Sequence, residues 1–367
     1  MFLISSGLLV IAALVYTIYT LVIVRGLSSK SSRPIRTDSP EVAVVISARN
    51  EEQNLPQLLS DLISQDYQGH YDIYIADDRS SDSTWKILDQ FSRKHSNLHP
   101  VRITALSQQM TPKKNALTQC LKRTTAEIIL STDADCRVGP NWVSAAVAQM
   151  NEDVGILVGY SQVESKGFFE KYQALDFIGI MVANAGMMSL GYNWSGSGQN
   201  LAYRRSAFTD IGGFNPVAHK ISGDDVYLVQ NIPAKTNLLA RFSLDPQHFV
   251  RTRPMDSLVG FINQRVRWSS NSRGLEKTDP LFFWFLVSAF LTNVGLLVHS
   301  LAGWLGPVFW SILLLKFIAE GLVLIAGARK FAYWPLLFVY PIWFIIQPLY
   351  ISYVGVMGLF GKFNWKP

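Results

Sequence analysis

Residues 127–135 read EIILSTDAD, an apolar run that ends in two aspartates separated by one residue. A short apolar run of this kind is typical of a buried β-strand. Asp133 and Asp135 would then lie just beyond the strand with their side chains on one side, because alternate residues of an extended chain point to opposite faces. Two such carboxylates can share Mg²⁺ or Mn²⁺, since hard cations prefer oxygen ligands. A solvated turn is the alternative, because D-x-D arises by chance about once in a chain of this length.

Strand and helix patterns alternate on the N-terminal side of this run. Continuous apolar runs predict buried strands, and apolar residues three and four apart predict helices between them. The predicted strands are Val42–Ser47, Tyr71–Ala76, Leu98–Ile103 and Glu127–Ser131, and the predicted helices are Leu55–Gln65, Asp82–Phe91 and residues 112–122. This alternation is typical of right-handed βαβ units, so we predict an α/β domain with a mostly parallel sheet.

Polar clusters follow three of the predicted strands. Ligands of parallel sheets bind beyond the carboxyl ends of the strands, so these clusters should converge at one edge. Ser81 or Asp82 is predicted to cap the next helix. Capping does not account for Asp77 and Asp78, whose carboxylates could bind a nucleotide base or ribose. The clusters are Ala48-Arg49-Asn50-Glu51, Asp77-Asp78 and Asp133-Ala134-Asp135.

Two charged pairs are further candidates. Lys113 and Lys114 lie near a helix start, where they could reach a diphosphate or belong to a solvated face. Asp224 and Asp225 begin a predicted helix, VYLVQNI, where a general base would be needed. Acidic residues at a helix N-terminus are also favoured by the helix dipole alone.

The pattern QxxRW, formed by Gln264, Arg267 and Trp268, precedes the C-terminal apolar part of the chain. In a helix these positions share one face, which gives a polar and aromatic edge suited to a phosphate or an acceptor sugar. Anchoring of the tryptophan at a membrane interface is the simpler alternative.

The apolar segments predict an integral membrane protein. Residues 2–24 carry no charge, are long enough to cross a bilayer, and lack the features of a cleavable signal peptide. By the positive-inside rule the domain that follows is cytosolic, so the sequon at Asn193 should carry no glycan. The basic residues behind this expectation are Arg25, Lys30, Arg33 and Arg36.

The C-terminal third is predicted to cross the membrane two or three times. Residues 281–303 and 307–327 form two spans. Residues 334–360 contain three prolines and either cross fully, which places Lys362 and Lys366 outside, or re-enter, which keeps both inside.

Two further apolar segments each have two possible interpretations. Residues 168–190 form either domain core or a helix in the bilayer surface that admits a lipid acceptor. Lys316 and Glu320 lie four residues apart in a predicted span, where they can pair; they either line an acceptor or polymer path or stabilise helix packing.

The bulk composition excludes some partners. The net charge is +6, yet many basic residues flank apolar segments, as expected at an anionic membrane face. No dense basic run interleaved with aromatics occurs, so we expect no nucleic-acid partner. Cys120 and Cys136 fit neither a disulfide framework nor a metal-ligand spacing, and we expect reduced thiols.

Together these motifs resemble those of the membrane-bound, inverting family 2 glycosyltransferases, which include cellulose, hyaluronan and poly-N-acetylglucosamine synthases and ceramide glucosyltransferases. The resemblance covers about residues 41–275. It implies a GT-A type domain with transmembrane helices, a nucleotide-sugar donor, and Mg²⁺ or Mn²⁺ as cofactor.

Individual roles follow from the resemblance. Asp133 and Asp135 would bind the diphosphate and metal, and Gln264, Arg267 and Trp268 the diphosphate or acceptor. Residues 196–214 resemble the acceptor-side segment. The nucleotide would be bound by Ala48, Arg49, Glu51, Asp77 and Asp78, with Lys113 and Lys114.

The base position departs from the family pattern. The family usually carries Glu-Asp where this chain has Asp224-Asp225. Alignment of Leu228 favours Asp225 as the base, although a one-residue shift would exchange the two. The implied reaction is one in-line displacement, in which the base takes a proton from the acceptor hydroxyl while Arg267 and the metal neutralise the departing diphosphate.

The expected activity is transfer of one sugar, from a UDP-sugar by resemblance, to a membrane lipid. A processive polysaccharide synthase remains open because QxxRW is frequent in such enzymes, and a non-catalytic nucleotide-sugar sensor is a further alternative. We expect a bacterial plasma membrane protein, and its oligomeric state stays open. The predicted regions are residues 1–25 (span), 41–250 (cytosolic glycosyltransferase domain), 251–278 (interfacial helices) and 281–360 (membrane region).

Overall fold

The computed structural model describes residues 2–29 and 35–360. Four lysines and arginines that entered the predictions of membrane orientation lie outside the described residues. They are Lys30, Arg33, Lys362 and Lys366.

The described residues form alternating strands and helices up to residue 163 and mainly helices thereafter. The strands are β1 (Val42–Ala48), β2 (Tyr71–Asp78), β3 (Leu98–Ile103), β4 (Ile128–Ser131), β5 (Arg137–Val138), β6 (Val154–Gly159), β7 (Ser161–Val163), β8 (Leu201–Arg204), β9 (Leu239–Ser243) and β10 (Val250–Thr252). The α-helices are α1 (Phe2–Ser28), α2 (Leu55–Ile63), α3 (Thr84–Ser92), α4 (Pro112–Leu121), α5 (Trp142–Val147), α6 (Phe168–Met188), α7 (Arg205–Asp210), α8 (Asp224–Lys235), α9 (Leu258–Ser269), α10 (Leu275–Thr278), α11 (Pro280–Leu301), α12 (Pro307–Lys330) and α13 (Tyr340–Phe360). Short 3₁₀ helices occur at Asn215–Val217, Pro246–His248, Ser270–Ser272 and Trp334–Val339.

The chain divides into two compact units. The sheet unit comprises Lys30–Glu164 and Gly191–Arg253, and the helical unit comprises Met1–Ser29, Ser165–Leu190 and Pro254–Pro367. The predicted continuous domain over residues 41–250 is therefore interrupted, because residues 165–190 make their contacts within the helical unit.

A seven-stranded sheet forms the centre of the sheet unit in its described residues, with the order β3-β2-β1-β4-β8-β6-β9. Neighbouring strands are parallel except where β8 pairs with β4 and β6. The α/β class and the mostly parallel sheet are thus confirmed. A three-stranded sheet of order β5-β10-β7 completes the unit.

Apolar burial on both faces explains why these strands lie in the interior. Apart from Ser47, every residue of β1 is buried. Helix α2 covers one face with four fully buried leucines at helical spacing, each of which contributes roughly 1.5–3 kcal/mol. These are Leu55, Leu58, Leu59 and Leu62.

The helical unit contains four helical segments that are long and apolar enough to cross a membrane by length and composition, among the residues that the structure describes. These segments are Leu3–Ser28, Pro280–Leu301, Pro307–Lys330 and Trp334–Phe360. Helix α13 continues through Pro348 without a break. The last predicted stretch is therefore one long segment and not a helix broken at that proline.

Helix α6 belongs to the helical unit, where it contacts α1 and α12. The alternative that residues 168–190 form core of the α/β domain is wrong for this reason. Glycines permit the closest approach: a Cβ on Gly26 would lie 2.1 Å from the carbonyl oxygen of Gly186, and one on Gly186 would lie 2.3 Å from that of Ile23. The Ser189 hydroxyl also donates to the Gly26 carbonyl at 2.6 Å.

The predicted pairing of Lys316 with Glu320 is confirmed. Lys316 Nζ lies 2.8 Å from Glu320 Oε2, and both side chains are buried. The Tyr16 hydroxyl donates to the other carboxylate oxygen at 2.9 Å. Each carboxylate oxygen of Glu320 thus has a donor, as buried charges in apolar surroundings require, and the contact with Tyr16 joins α1 to α12.

Replacement of Gly186 by alanine should loosen the crossing of α1 and α6. The added methyl meets backbone atoms that cannot rotate away, and overpacking of this kind costs about 1–3 kcal/mol. Melting in detergent, followed by loss of the monodisperse peak, should occur at a lower temperature. Gly7→Ala is the matched control, because nothing lies within 4 Å of a Cβ at that α1 position. Equal melting temperatures for the two variants would contradict the proposed close packing.

Candidate active site

The carboxyl ends of β1 and β2 form one edge of the candidate site. Ala48 is the last residue of β1, and it lies opposite Asp77 of β2. Asp77 and Asp78 are the final residues of β2 and do not follow it, which corrects the predicted end of this strand at Ala76. The strand is longer than predicted because both carboxylates remain in the ladder with β3.

Two non-glycine residues with left-handed backbones follow these strand ends. Asn50 has φ 54° and Arg79 has φ 56°. Asn50 bridges the two segments: its side-chain oxygen accepts from Ser81 N at 2.9 Å, and its own N–H donates to Ser80 Oγ at 2.9 Å. Left-handed non-glycine residues persist only where surrounding contacts over-determine them, and they concentrate at functional sites.

The predicted helix cap is also corrected. Helix α3 begins at Thr84, so Ser83 occupies the N-cap position and neither Ser81 nor Asp82 does. Asp82 is instead shared by two segments, since Oδ1 accepts from Thr84 N at 3.0 Å and Oδ2 accepts from Glu52 N at 3.1 Å.

The predicted nucleotide-binding side chains differ in their partners. Asp77 is 2% exposed and accepts from Ser80 N at 3.3 Å. Both oxygens of Asp78 are held by Arg79, at 2.8 and 3.1 Å. The Oε2 atom of buried Glu51 accepts from Asn54 Nδ2 at 2.7 Å. Arg49 Nε is buried without a hydrogen-bond partner among the described residues, so it is a donor that a bound ligand would satisfy.

Asp133 and Asp135 lie in the turn between β4 and β5, as predicted. A bond from Cys136 N to Asp133 O, 3.1 Å long, closes the turn. The Thr132 hydroxyl donates to Gln199 O at 2.7 Å and attaches the turn to the segment before β8. Burial raises the pKa of the Cys136 thiol, so it remains a neutral neighbour of the two carboxylates.

The donor set at this turn fits a hard divalent cation that a diphosphate also coordinates. Asp133 and Asp135 supply the oxygen ligands such cations prefer. No group of three or more His, Cys, Asp or Glu side chains is arranged to hold a metal ion within residues 2–29 and 35–360.

Lys113 joins the metal-binding candidates to the base candidates. Its ammonium lies 2.8 Å from Asp133 Oδ1 and 3.8 Å from Asp224 Oδ2. Burial by itself lowers the pKa of Lys113, but Asp133 and Asp224 outweigh it and raise that pKa above its ordinary value. Lys113 is thus a stable cation beside the carboxylates of Asp133, Asp224 and Asp225.

Gly198 lies against the same cluster. A Cβ at this position would be 3.4 Å from Lys113 Nζ, 3.8 Å from Asp225 Oδ2 and 3.9 Å from Asp224 Oδ2. Glycine therefore leaves open the space beside all three groups. Gly198 was predicted only as part of the acceptor-side segment 196–214, although the sequence Gly196-Ser197-Gly198 could have indicated it.

Asp225 occupies the first turn of α8, where two backbone N–H groups hold its carboxylate. Oδ2 accepts from Gly198 N at 3.0 Å, and Oδ1 accepts from Val226 N at 2.8 Å. Burial and the adjacent charge of Asp224 raise the pKa of Asp225 to about 6, while Lys113 and the two N–H donors oppose the rise. A carboxylate with this pKa suits proton abstraction near neutral pH.

Lys114 has a different environment from Lys113, although the two are adjacent in sequence. Its side chain is 1% exposed, and Nζ donates to the carbonyl of Lys220 at 2.5 Å. Thr111 N donates to Ala218 O at 2.9 Å in the same region. Lys114 therefore holds the segment that leads into Asp224 and Asp225, and its predicted diphosphate contact stays a prediction.

Gln264, Arg267 and Trp268 lie on α9 in the helical unit, as the helical spacing predicted. The sequence analysis missed Arg265, which is more buried than these three. Arg265 Nε donates to Asp176 Oδ2 of α6 at 2.7 Å, and both side chains are less than 10% exposed. The only signal for it was a second arginine inside QxxRW.

Comparison with known proteins gives a family and a fold. The sequence model of Glycosyl transferase family 21 matches residues 6–365. The β-monoglucosyldiacylglycerol synthase of Trichormus variabilis is 28% identical over 177 residues, which cover 38% of this chain but only 37% of that relative. The poly-β-1,6-N-acetyl-D-glucosamine synthase of Staphylococcus epidermidis is 22% identical and covers 76% of this chain and 65% of its own length.

A solved structure confirms the GT-A type fold. The mannosyltransferase PcManGT from Pyrobaculum calidifontis, in complex with GDP-Man and Mn²⁺, superposes with a TM-score of 0.64 at 20% identity. The alignment covers 98% of this chain and 99% of that one.

Replacement of Lys114 by methionine should free the segment around Lys220. A hydrogen bond to a charged group is worth about 1.5–3 kcal/mol, so amide exchange in residues 216–223 should quicken by roughly tenfold or more. Hydrogen–deuterium exchange mass spectrometry measures this directly. Lys122→Met is the control, because Lys122 lies exposed just after the same helix. Unchanged exchange in Lys114→Met would show that this lysine does not hold the segment.

Proposed function

The chain belongs to glycosyl transferase family 21, and from this premise we propose that it transfers a sugar from a nucleotide-sugar donor to a membrane lipid with inversion at the anomeric carbon. The observation that carries the proposal is the contact of Lys113 with both Asp133 and Asp224. The carboxylate proposed to bind the diphosphate and a neighbour of the proposed base thereby contact one ammonium within the sheet unit.

The donor would bind across the ends of β1, β2 and β4. Asp77 and Glu51 offer buried carboxylates to a base or ribose, and the orphan Nε of Arg49 offers a donor. Asp78 can join them only if Arg79 releases it. A UDP-sugar is the donor that the family resemblance favours.

Asp133 and Asp135 would hold Mg²⁺ or Mn²⁺ together with the donor diphosphate. When bound, such a cation supplies positive charge that stabilises the departing diphosphate. The similarly folded mannosyltransferase was solved with GDP-Man and Mn²⁺, which agrees with this assignment. Lys113 adds a fixed positive charge at Asp133.

Asp225 is the proposed base and Asp224 its charged neighbour. The acceptor hydroxyl would give its proton to Asp225 as the hydroxyl oxygen attacks the anomeric carbon and the bond to the diphosphate breaks. Asp225 fits this role because its pKa is raised to about 6, whereas Asp224 is the carboxylate that lies 3.8 Å from the Lys113 ammonium. Pairs of carboxylates whose environments differ in this way commonly divide their roles.

A lipid acceptor is favoured by two observations. One relative is a β-monoglucosyldiacylglycerol synthase, and four segments of the helical unit are long and apolar enough to span a membrane. Arg25 at the end of α1 supports a cytosolic sheet unit in a bacterial plasma membrane. A processive polysaccharide synthase is the second candidate, because another relative makes poly-N-acetylglucosamine.

Purified full-length protein in lipid nanodiscs with Mn²⁺ and a panel of radiolabelled UDP- and GDP-sugars tests the proposal. Label in a small organic-soluble lipid would support it and identify the donor. A large insoluble polymer would favour the synthase. Nucleotide binding without transfer from any donor would contradict both and favour a non-catalytic sensor.

Replacement of Asp225 by asparagine should lower kcat by about 10²–10⁴-fold, because asparagine cannot accept the proton. Donor binding, measured by nucleotide titration, should change little. Asp224→Asn is the matched control and should retain more activity, since it loses only the charge that faces Lys113. The reverse order of the two variants would assign the base to Asp224.

The rate should depend on pH through Asp225. Below pH 6 the carboxylate becomes protonated, so kcat/KM should fall as the pH decreases and level off above about pH 7. Lys113→Met removes a cation that lowers the pKa of Asp225, so the acidic limb should move to higher pH. Profiles of the wild type, Lys113→Met and the exposed control Lys122→Met measure this. An unchanged acidic limb of the pH profile in Lys113→Met would contradict the assignment of Asp225 as the base.

A further inference from the structure

Arg265 lies within the QxxRW motif but faces the interior of the helical unit. It is 5% exposed, whereas Gln264, Arg267 and Trp268 are all partly exposed. Arg265 is thus the more deeply buried arginine of the motif segment. An arginine is buried in this way only when its charge is paired.

The guanidinium of Arg265 contacts two of the three motif side chains. Its Nη1 donates to Gln264 Oε1. Its central carbon lies 4.3 Å from the ring centroid of Trp268 and 4.6 Å from that of Phe261, so the cation lies between two aromatic rings. A planar guanidinium can donate to one neighbour while it stacks on another, which an ammonium cannot do in the same way.

Asp176 holds the guanidinium of Arg265 through an ion pair. Its Oδ2 accepts from Arg265 Nε at 2.7 Å and from the Tyr350 hydroxyl at 3.4 Å, and its Oδ1 accepts from Trp343 Nε1 at 3.4 Å. The carboxylate is therefore fixed by α9 and α13 together. The position of Arg265 is consequently determined by a partner 89 residues away in sequence, Asp176.

We propose that Arg265, anchored by Asp176, is a positioning residue that fixes the orientations of Gln264 and Trp268 for substrate binding. The inference rests on the proposed function and on the family resemblance, which assigns Gln264, Arg267 and Trp268 to binding of the diphosphate or the acceptor. Arg265 itself need not touch substrate. It acts through the two motif residues that it contacts.

A double-mutant cycle in nanodiscs separates positioning from general stability. Arg265→Lys keeps the charge but loses the planar stack, and it should lower kcat by about 10–100-fold with a smaller change in donor KM and little change in melting temperature. Trp268→Ala should lower kcat at least as much. The double variant should be slower than Trp268→Ala alone by a smaller factor than Arg265→Lys costs in the wild type, because part of the effect of Arg265 passes through Trp268.

Glu320→Gln is the matched control, since it breaks the other buried ion pair described in the helical unit. Its effect on kcat should multiply with that of Trp268→Ala, as expected for independent sites. Multiplicative effects of Arg265→Lys and Trp268→Ala, or full activity of Arg265→Lys, would overturn the inference while leaving the proposed function intact. Full activity of Trp268→Ala would instead contradict the proposed role of the motif, and with it the inference.

Discussion

The ammonium of Lys113 joins the two carboxylate segments on which the proposed chemistry depends. Asp133, Asp135, Asp224 and Asp225 belong to two segments that are distant in sequence, and like charges at close range repel strongly where water is partly excluded. Lys113 offsets this repulsion through its contacts with Asp133 and Asp224. It also leaves unequal environments for Asp224 and Asp225, which is the condition for one of them to act as a base.

The helical unit follows a related rule in apolar surroundings. Its described charged side chains that are buried form two pairs: Lys316 with Glu320, and Arg265 with Asp176. Each pair also recruits tyrosine or tryptophan donors, so remaining carboxylate oxygens are satisfied. Removal of one partner of such a pair leaves the other charge buried and unpaired, which destabilises the protein far more than replacement of both partners. The pairs therefore specify which helices meet, while Gly26 and Gly186 specify how closely two of them approach.

Much of the fold could be predicted because local patterns decided it. Buried runs such as Val42–Ser47, the leucine spacing of α2 and the uncharged length of α1 each point to one structure. The membership of α6 in the helical unit was not predictable, since a uniformly apolar helix can be buried against a sheet or against other helices. The end of β2 was missed because two aspartates are poor strand formers, and cross-strand pairing overrode their propensity.

The residues of the site could be predicted from the sequence, but the partners that each side chain contacts could not. Lys113 and Lys114 are identical side chains on consecutive residues, yet a rotation of about 100° per residue along a helix separates their surroundings. One reaches the carboxylates and the other a backbone carbonyl. Likewise, nothing local to Arg265 indicates Asp176, because that pairing depends on how three helices pack. The left-handed backbones of Asn50 and Arg79 also arise from contacts between segments rather than from either segment alone.

The central claim is that a single base in this cluster drives one displacement at the anomeric carbon. Proton NMR of the product formed during the first minutes of reaction measures the configuration at that carbon directly. We predict a configuration opposite to that of the donor, since one displacement inverts the anomeric carbon. Retained configuration would require two displacements or a different course at the same face, and would contradict the role assigned to Asp225.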